Sequence, residues 1–415
     1  MNSEMLPRND VSNRIIFTVC NISYLPKALV LAKSLKKYNN DTLKIVLFDR
    51  KVDFEHPSDI AEILWIEDLA VPHLLELAMI YDIIEFSTSL KPYLALHFLE
   101  QEHREFVIFL DPDTCLYSSI DQIENDLRKH PIVLTPHYLR PQPRANNESD
   151  LAMMRFGSFN LGFFAVSKCS EGLAFLRWWS ERCIDFCFME SQFGLSTDQK
   201  WVSIAPCFFP NLHVSFNPGY NMAPWNTFER FVTRDEHHNY VVNDSDPLVF
   251  FHFSNFNSSD LQYSNKRLSI EKDAQYPTLL EMSSQYSEEL IRMTAVVEKV
   301  SYAFDAMSDG SYISPTLRRA YAAVRSELPI NHDPFNIDGP VGQFAKKNWL
   351  VDKGSRGIYK YPGLKDKDQH PKSFLVIYFI LRIVLRIVGP RRFYDLSKLM
   401  VYLSILRLNR QLWRL

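Results

Sequence analysis

Phe106-Val107-Ile108-Phe109-Leu110-Asp111-Pro112-Asp113 is the stretch on which the reading of this chain turns. Its five consecutive apolar residues, four of them aromatic or β-branched, have the pattern of a strand buried on both faces. A proline cannot continue such a strand. Asp111 and Asp113 therefore stand at i and i+2 where the strand ends, the place where open α/β sheets bind their ligands. Close carboxylates repel, and are tolerated mostly where a cation or a shared proton offsets the repulsion. A divalent ion that also holds a diphosphate is the simplest such cation. The plain alternative is a strand-end turn carrying two solvated acids.

Outward from that strand, apolar runs alternate with helical patterns. Ile15–Val19 and Leu43–Phe48 read as strands, the second ending at Asp49, and Ile63–Ile66 as a third. Leu25, Ala28, Leu29, Ala32 and Leu35 give one helical face, with Pro26 in the first turn. Val71–Ile80 and Lys91–Leu99 have helical patterning, Phe159–Val166 reads as a strand and Gly172–Phe188 as an aromatic-rich helix. This alternation predicts an α/β fold with a mostly parallel sheet. Tyr138–Leu151, rich in Pro, Asn and charge, is expected to be a loop over a site. After Asn257 the pattern becomes helical, with a break near Asp309-Gly310.

Composition bounds the chemistry. The chain has 415 residues, 46% of them hydrophobic, which suits two or three units with a large core. A net charge of -3 gives no reason to expect nucleic acid as a partner. With 12 glycines and neither a Gly-x-Gly-x-x-Gly nor a P-loop motif, phosphate binding would fall to metal and side chains. The six cysteines, none in a Cys-x-x-Cys pair, fit reduced core thiols of a cytoplasmic protein. Met1–Arg14 lacks the apolar core of a signal peptide.

Three further features point at the same chemistry. His252, in Leu248-Val249-Phe250-Phe251-His252-Phe253, is either a satisfied core histidine or an imidazole completing the two carboxylates. The latter would make a mixed N/O site suited to Mn²⁺ or Mg²⁺. Asp198, in Thr197-Asp198-Gln199, is either a helix cap or a group facing a sugar. The stretch Phe216–Asn226 packs amides and aromatic rings densely, as carbohydrate sites do, although an ordinary Asn/Pro/Gly loop has the same letters.

Taken in order, Phe17–Tyr24, Phe86–Pro92, Phe109–Asp113, Phe159–Phe164, Thr197–Gln199 and Phe251–Phe253 resemble the metal-dependent nucleotide-sugar glycosyltransferases of the GT-A fold. The resemblance is greatest to bacterial relatives of retaining family 8, and covers about Arg14–Phe256. It implies a Rossmann-like, mostly parallel sheet with flanking helices, plus a helical C-terminal extension. It implies Asp111, Asp113 and His252 as metal ligands. Thr18, Asn21, Tyr24 and Asp49 would face the nucleoside, Lys91 and Asp111 the donor, and Asn160 the transferred sugar, with Asp198 and Gln199 as catalytic residues. The implied reaction moves a sugar, with UDP-sugar the default donor, to a glycan or lipid-linked acceptor in surface polysaccharide or lipopolysaccharide assembly, with retention. One departure stands out: Ser254-Asn255-Phe256 follows the histidine-phenylalanine pair where the family has a lysine.

Phe109–Thr114 also matches the hydrophobic-Asp-x-Asp signature of haloacid-dehalogenase-type phosphatases, except for the spacing of its threonine. A non-catalytic membrane-bound scaffold is a third reading. The expected layout is a transferase domain over 12–260, a helical extension over 261–371 and a basic amphipathic tail over 372–415. Arg382, Arg386, Arg391, Arg392, Lys398, Arg407, Arg410 and Arg414 stand among apolar residues with one acid, Asp395. That composition fits a helix in the interface of an anionic membrane, placing the protein on the inner face, or a helix packed on protein.

Overall fold

A computed structural model describes residues 13–57, 59–141, 148–256, 276–329, 332–352 and 371–413. The chain divides into two compact units, Met1–Leu74 with Ile83–Tyr302 and Leu75–Asp82 with Ala303–Leu415.

The first unit is built on β1 (Arg14–Cys20), β2 (Leu43–Leu47), β3 (Ala61–Trp65) and β4 (Phe106–Leu110). These four run parallel. Short β5 (Thr114–Leu116) leaves the sheet, while β6 (Ile132–Pro136) and β7 (Phe159–Ser167) rejoin it. β8 (Met189–Glu190) and β9 (Leu195–Ser196) form a separate hairpin, and β10 (Leu212–Val214) closes the sheet edge. The order is β10-β6-β7-β4-β1-β2-β3, seven strands, with β7 antiparallel to both neighbours. Strands β11 (Val232–Arg234), β12 (Tyr240–Val242) and β13 (Asp246–Pro247) make a small antiparallel sheet, and β14 (Phe250–His252) pairs with β5.

Alternation along the strands sorts side chains to two faces. Ile16, Ile108 and Ala165 belong to a core shared with α1 (Leu25–Asn39) and helix Tyr276–Ala295. Phe17, Phe109 and Phe164 point the other way, with ring centroids 5.1 Å apart for each successive pair. There they meet Phe98 and Trp179. Those rings come from α3 (Ile83–Gln101) and α6 (Ser170–Phe186), which follow α2 (Leu74–Ile80) and flank α4 (Asp121–Leu127) and α5 (Glu148–Phe156) in sequence. This is the α/β architecture that the resemblance implies: a mostly parallel sheet with flanking helices and a helical C-terminal region.

The structure departs from the sequence reading in several places. α3 starts well before Lys91, because Pro92 lies inside the helix rather than at its first turn. Part of the expected loop Tyr138–Leu151 is helical, since α5 begins at Glu148; 142–147 lie outside the described residues. The boundary expected at 260, too, falls outside them, and helix Tyr276–Ala295 belongs to the first unit. It packs on α1, with Lys33 donating to Glu289 at 2.5 Å. All six cysteines are free thiols, but Cys169 and Cys207 are exposed rather than in the core.

In the second unit, buried Arg318 donates to the carbonyls of Ala78, Tyr81 and Phe304 at 2.7 Å each, tying the end of α2 to helix Pro315–Val324. The long helix Pro371–Leu403 is broken at Gly389, whose φ of 77° is left-handed, followed by Pro390. Its apolar residues, Leu375, Phe379, Ile387 and Met400 among them, are exposed. No described helix is long and apolar enough to cross a membrane.

Candidate metal and nucleotide site

The site forms where β4 stops. Asp111 N–H donates to Gly162 O on β7 at 2.8 Å, and Thr114 N–H returns to Asp111 O at 3.0 Å, so the chain turns tightly through Pro112 and Asp113. β5 then pairs antiparallel with β14 in a register that sets His252 opposite Thr114. Phe253 N–H donates to Asp113 O at 2.8 Å, which locks that register. The ladder thus delivers a histidine from far along the chain to the two carboxylates.

His252 Nε2 lies 3.0 Å from Asp113 Oδ1 and 3.7 Å from Asp111 Oδ2. One ligand atom from each of the three residues falls within 4.8 Å of the others, a spacing that suits one ion. Gly162 makes room for the ring: a Cβ there would come 2.6 Å from His252 Cε1 and 2.7 Å from Nδ1. Trp225 closes the other side, edge-on at 5.3 Å. Burial alone would lower the His252 pKa, but the facing carboxylates outweigh it and hold the imidazole above its usual range. Burial likewise pushes Asp113 up, and His252 and Lys27 pull it below the usual carboxylate range. A protonated imidazole between two carboxylates occupies the place, and supplies the sign of charge, that a bound divalent cation would take over. The donor set of two carboxylates and one imidazole fits Mn²⁺ or Mg²⁺.

Lys91, buried on α3, stands behind the carboxylates. Its Nζ donates to Asp111 Oδ1 at 2.9 Å and to Leu161 O at 3.0 Å, and lies 4.6 Å over the Phe109 ring. Asp198 Oδ2 is 3.9 Å away and has no hydrogen-bond partner among the described residues. Asp198 is not the helix cap: it lies in the first turn of α7 (Thr197–Val202), whose N-cap is Ser196. Burial pushes its carboxyl up to about 6 against the pull of Lys91. Thr197 before it has φ of 48°, a strained conformation for a β-branched residue and one that clusters at functional sites.

A cleft of about 480 Å³ opens over these groups, lined by Asn21 and Tyr24 from the end of β1 and by Lys91, Asp111, Asp113 and Asn160. Asn160 Oδ1 is used twice, accepting from Gly162 N–H and from Asn221 Nδ2 at 3.0 Å each. Its NH₂ therefore faces His137 Nε2, 3.4 Å away, and the cleft. Burial holds His137 down to about 4, so at neutral pH it is an uncharged acceptor there.

Other expected residues, Asp198 among them, do not line the cleft. Thr18 is fully buried inside β1, because the strand continues to Cys20 before the loop starts. Asp49 is buried as well, and its carboxylate accepts from Ile22 N–H at 2.7 Å, bracing the loop. Gln199 donates to Phe156 O at 2.9 Å and its Oε1 faces Leu161 N–H at 3.4 Å, so its amide is spent on backbone. Sequence reasoning did not single out His137, Asn221 or Lys27, which stand beside Asn160 and Asp113. Asn221 and Trp225 lay in a stretch already marked by its amides and rings, whereas His137 and Lys27 carry no local signal.

No protein-family model matches the chain. It is similar to YfnD, an uncharacterised protein of Bacillus subtilis (strain 168), at 27% identity over 250 residues, 58% of this chain and 76% of that one. Similar solved structures include the galactosyltransferase LgtC in complex with donor and acceptor sugar analogues, at 13% identity over 69% of this chain and 97% of that chain, with a TM-score of 0.38. Another is the glycosyltransferase GlyE of Streptococcus pneumoniae TIGR4, at 13% identity over 71% of this chain and 67% of that chain, also with a TM-score of 0.38. At these values the functional reading rests on the site itself.

Asp49 gives a pH-dependent test of how the loop is held. Burial raises its carboxyl to about 6 from the ordinary 3.8. Between those values the folded chain binds the proton and the unfolded chain does not, so folded stability falls as pH rises through the window. Above it the full cost, about 3 kcal/mol, is present. Asp49→Asn keeps an acceptor for Ile22 without that cost. Melting curves should show the variant gaining on wild type from pH 4 to pH 7; a gap independent of pH would contradict the assignment.

Proposed function

We propose that this chain is a metal-dependent glycosyltransferase of the GT-A type, moving a sugar from a nucleoside diphosphate to a glycan or lipid-linked acceptor. The observation that carries the reading is the convergence of Asp111, Asp113 and His252 at the mouth of a cleft between the carboxyl ends of β1 and β4. From β1 the sheet proceeds through β2 to β3, and from β4 through β7 to β6, in the opposite direction. Such a switch point is where open α/β sheets form their ligand crevice.

Asp111, Asp113 and His252 would hold the ion, which when bound offsets charge on the leaving diphosphate. Asn21 and Tyr24 offer an amide and a ring to the nucleoside, on a loop braced by Asp49. Asn160 turns its NH₂ toward the sugar's hydroxyls, held in that orientation by Asn221 and Gly162. Asp198 sits behind Lys91, where a carboxylate stabilises positive charge developing on the anomeric carbon. Gln199 fixes the backbone of Leu161 and so the position of Asn160. His137 is uncharged at neutral pH, and no exposed carboxylate is needed as a base if the reaction retains configuration. UDP-sugar is the favoured donor, and surface polysaccharide assembly the favoured setting.

The long helix Pro371–Leu403 fits an acceptor at a membrane. Tyr378, Arg382 and Arg386 follow at i, i+4 and i+8, a narrow polar stripe on an otherwise apolar, exposed segment. Arginines beside such a surface each contribute about 1 kcal/mol on an anionic bilayer.

Incubated with Mn²⁺ and UDP-sugars, the protein should release UDP while leaving p-nitrophenyl phosphate intact, and Asp111→Asn should lower that release by about two orders of magnitude. The anomeric configuration of the product, read by NMR against that of the donor, should be retained; inversion would rule out the retaining mechanism. In the full chain, Arg382→Glu with Arg386→Glu should cut pelleting with anionic vesicles at least about tenfold at low salt and leave UDP release unchanged. Unaltered pelleting would refute the membrane role of this helix.

A further inference from the structure

The cations around the metal site point to a second lysine with a task of its own. Lys91 is committed: it makes two hydrogen bonds and is buried. Lys27, in the first turns of α1, is differently placed. Its Nζ is 3.9 Å from Asp113 Oδ2, beyond hydrogen-bond reach, and 4.3 Å over the ring of Tyr24. Its side chain is only 13% exposed, so the ammonium is held beside the cleft rather than free in solvent. Tyr24 itself lines the cleft. On the far side, past His252, the cleft is lined by Ser254 and Asn255, which carry no charge.

We propose that Lys27 is the cation that receives the diphosphate of the nucleotide, an inference that rests on the glycosyltransferase reading above. The charges give the reason. Asp111, Asp113 and Asp198 exceed Lys91 by two negative charges. A divalent ion held by a neutral histidine brings that balance only to zero, which leaves the charge of a nucleoside diphosphate unmet. Lys27 raises it to one positive charge. Once an ion neutralises Asp113, the loose attraction that now draws Lys27 weakens, and a lysine's flexible stem lets a point charge turn to a phosphate. Its stacking on Tyr24 keeps it at the nucleoside end of the cleft, on the diphosphate's path toward Asp111 and Asp113. The same helix thereby supplies the phosphate cation that the uncharged residues after His252 do not.

Titration calorimetry with UDP and GDP in Mn²⁺ tests this, alongside ligand-observed NMR of uridine and guanosine. Lys27→Met keeps the apolar stem and should fold with an unchanged melting temperature. It should raise the Kd of the diphosphate about tenfold, leave nucleoside binding unchanged and flatten the salt dependence, with Lys27→Arg restoring most of the loss. Equal weakening of nucleoside and diphosphate would show that Lys27 only shapes Tyr24, and an unchanged Kd would show no phosphate contact; either overturns the inference alone. Wild-type protein that binds neither diphosphate would overturn the glycosyltransferase reading, and this inference with it.

Discussion

Repulsion between two carboxylates at the end of β4 is the constraint that the rest of this structure answers. Two unit charges 4 Å apart at an effective dielectric near 20 interact by about 4 kcal/mol, several times the net value of a hydrogen bond. Asp111 and Asp113 are partly buried, so water alone does not screen them. Three cationic groups reach them from three separate segments: Lys91 from α3, His252 from β14 and Lys27 from α1. Each is placed by ordinary packing that has its own reason. Lys91 is held over Phe109, His252 rides a two-strand ladder, and Lys27 sits above Tyr24. An acid pair so thoroughly countered, yet left open to a cleft on one side, keeps the donor set that a divalent ion would use.

Much of the fold could be read from local pattern. The Phe106–Leu110 strand and the Ile15–Val19 strand are apolar runs that only a buried sheet accommodates, and both lie where they were expected. The two-faced packing follows from alternation along those strands, since Phe17 and Phe109 share a face with Phe164. What local pattern could not supply was anything set by a distant partner. Pro92 reads as a helix start, yet tertiary packing carries the helix through it. Glu148–Leu151 ends a stretch whose composition says loop, and still opens a helix that runs to Phe156. Helix Tyr276–Ala295 carries no sign that it belongs with α1 rather than with a separate extension.

The same division runs through the site. Asp111, Asp113 and His252 were legible because each sits on or beside a strongly apolar strand, where a charged or polar group needs an explanation. Asn160 was expected only from the resemblance, and it lies on the lining of the cleft. The bare glycine at 162 had no visible reason until the His252 ring was seen against it. Thr18 and Asp49 were read as ligand contacts, but they sit one layer deeper: a loop's first exposed residue depends on where its strand frays, which sequence fixes only loosely. Lys27 was invisible because a lysine on a helix is ordinarily a solvated surface charge, and only the fold turns this one toward Asp113.

The most direct test of the account is a Mn²⁺ titration followed by electron paramagnetic resonance, in the presence and absence of UDP. The account predicts one ion bound per wild-type chain, tighter when UDP is present, and loss of that site in Asp113→Ala and His252→Ala variants that still melt cooperatively. Mn²⁺ uptake that is indifferent to UDP, or that survives both substitutions, would contradict it.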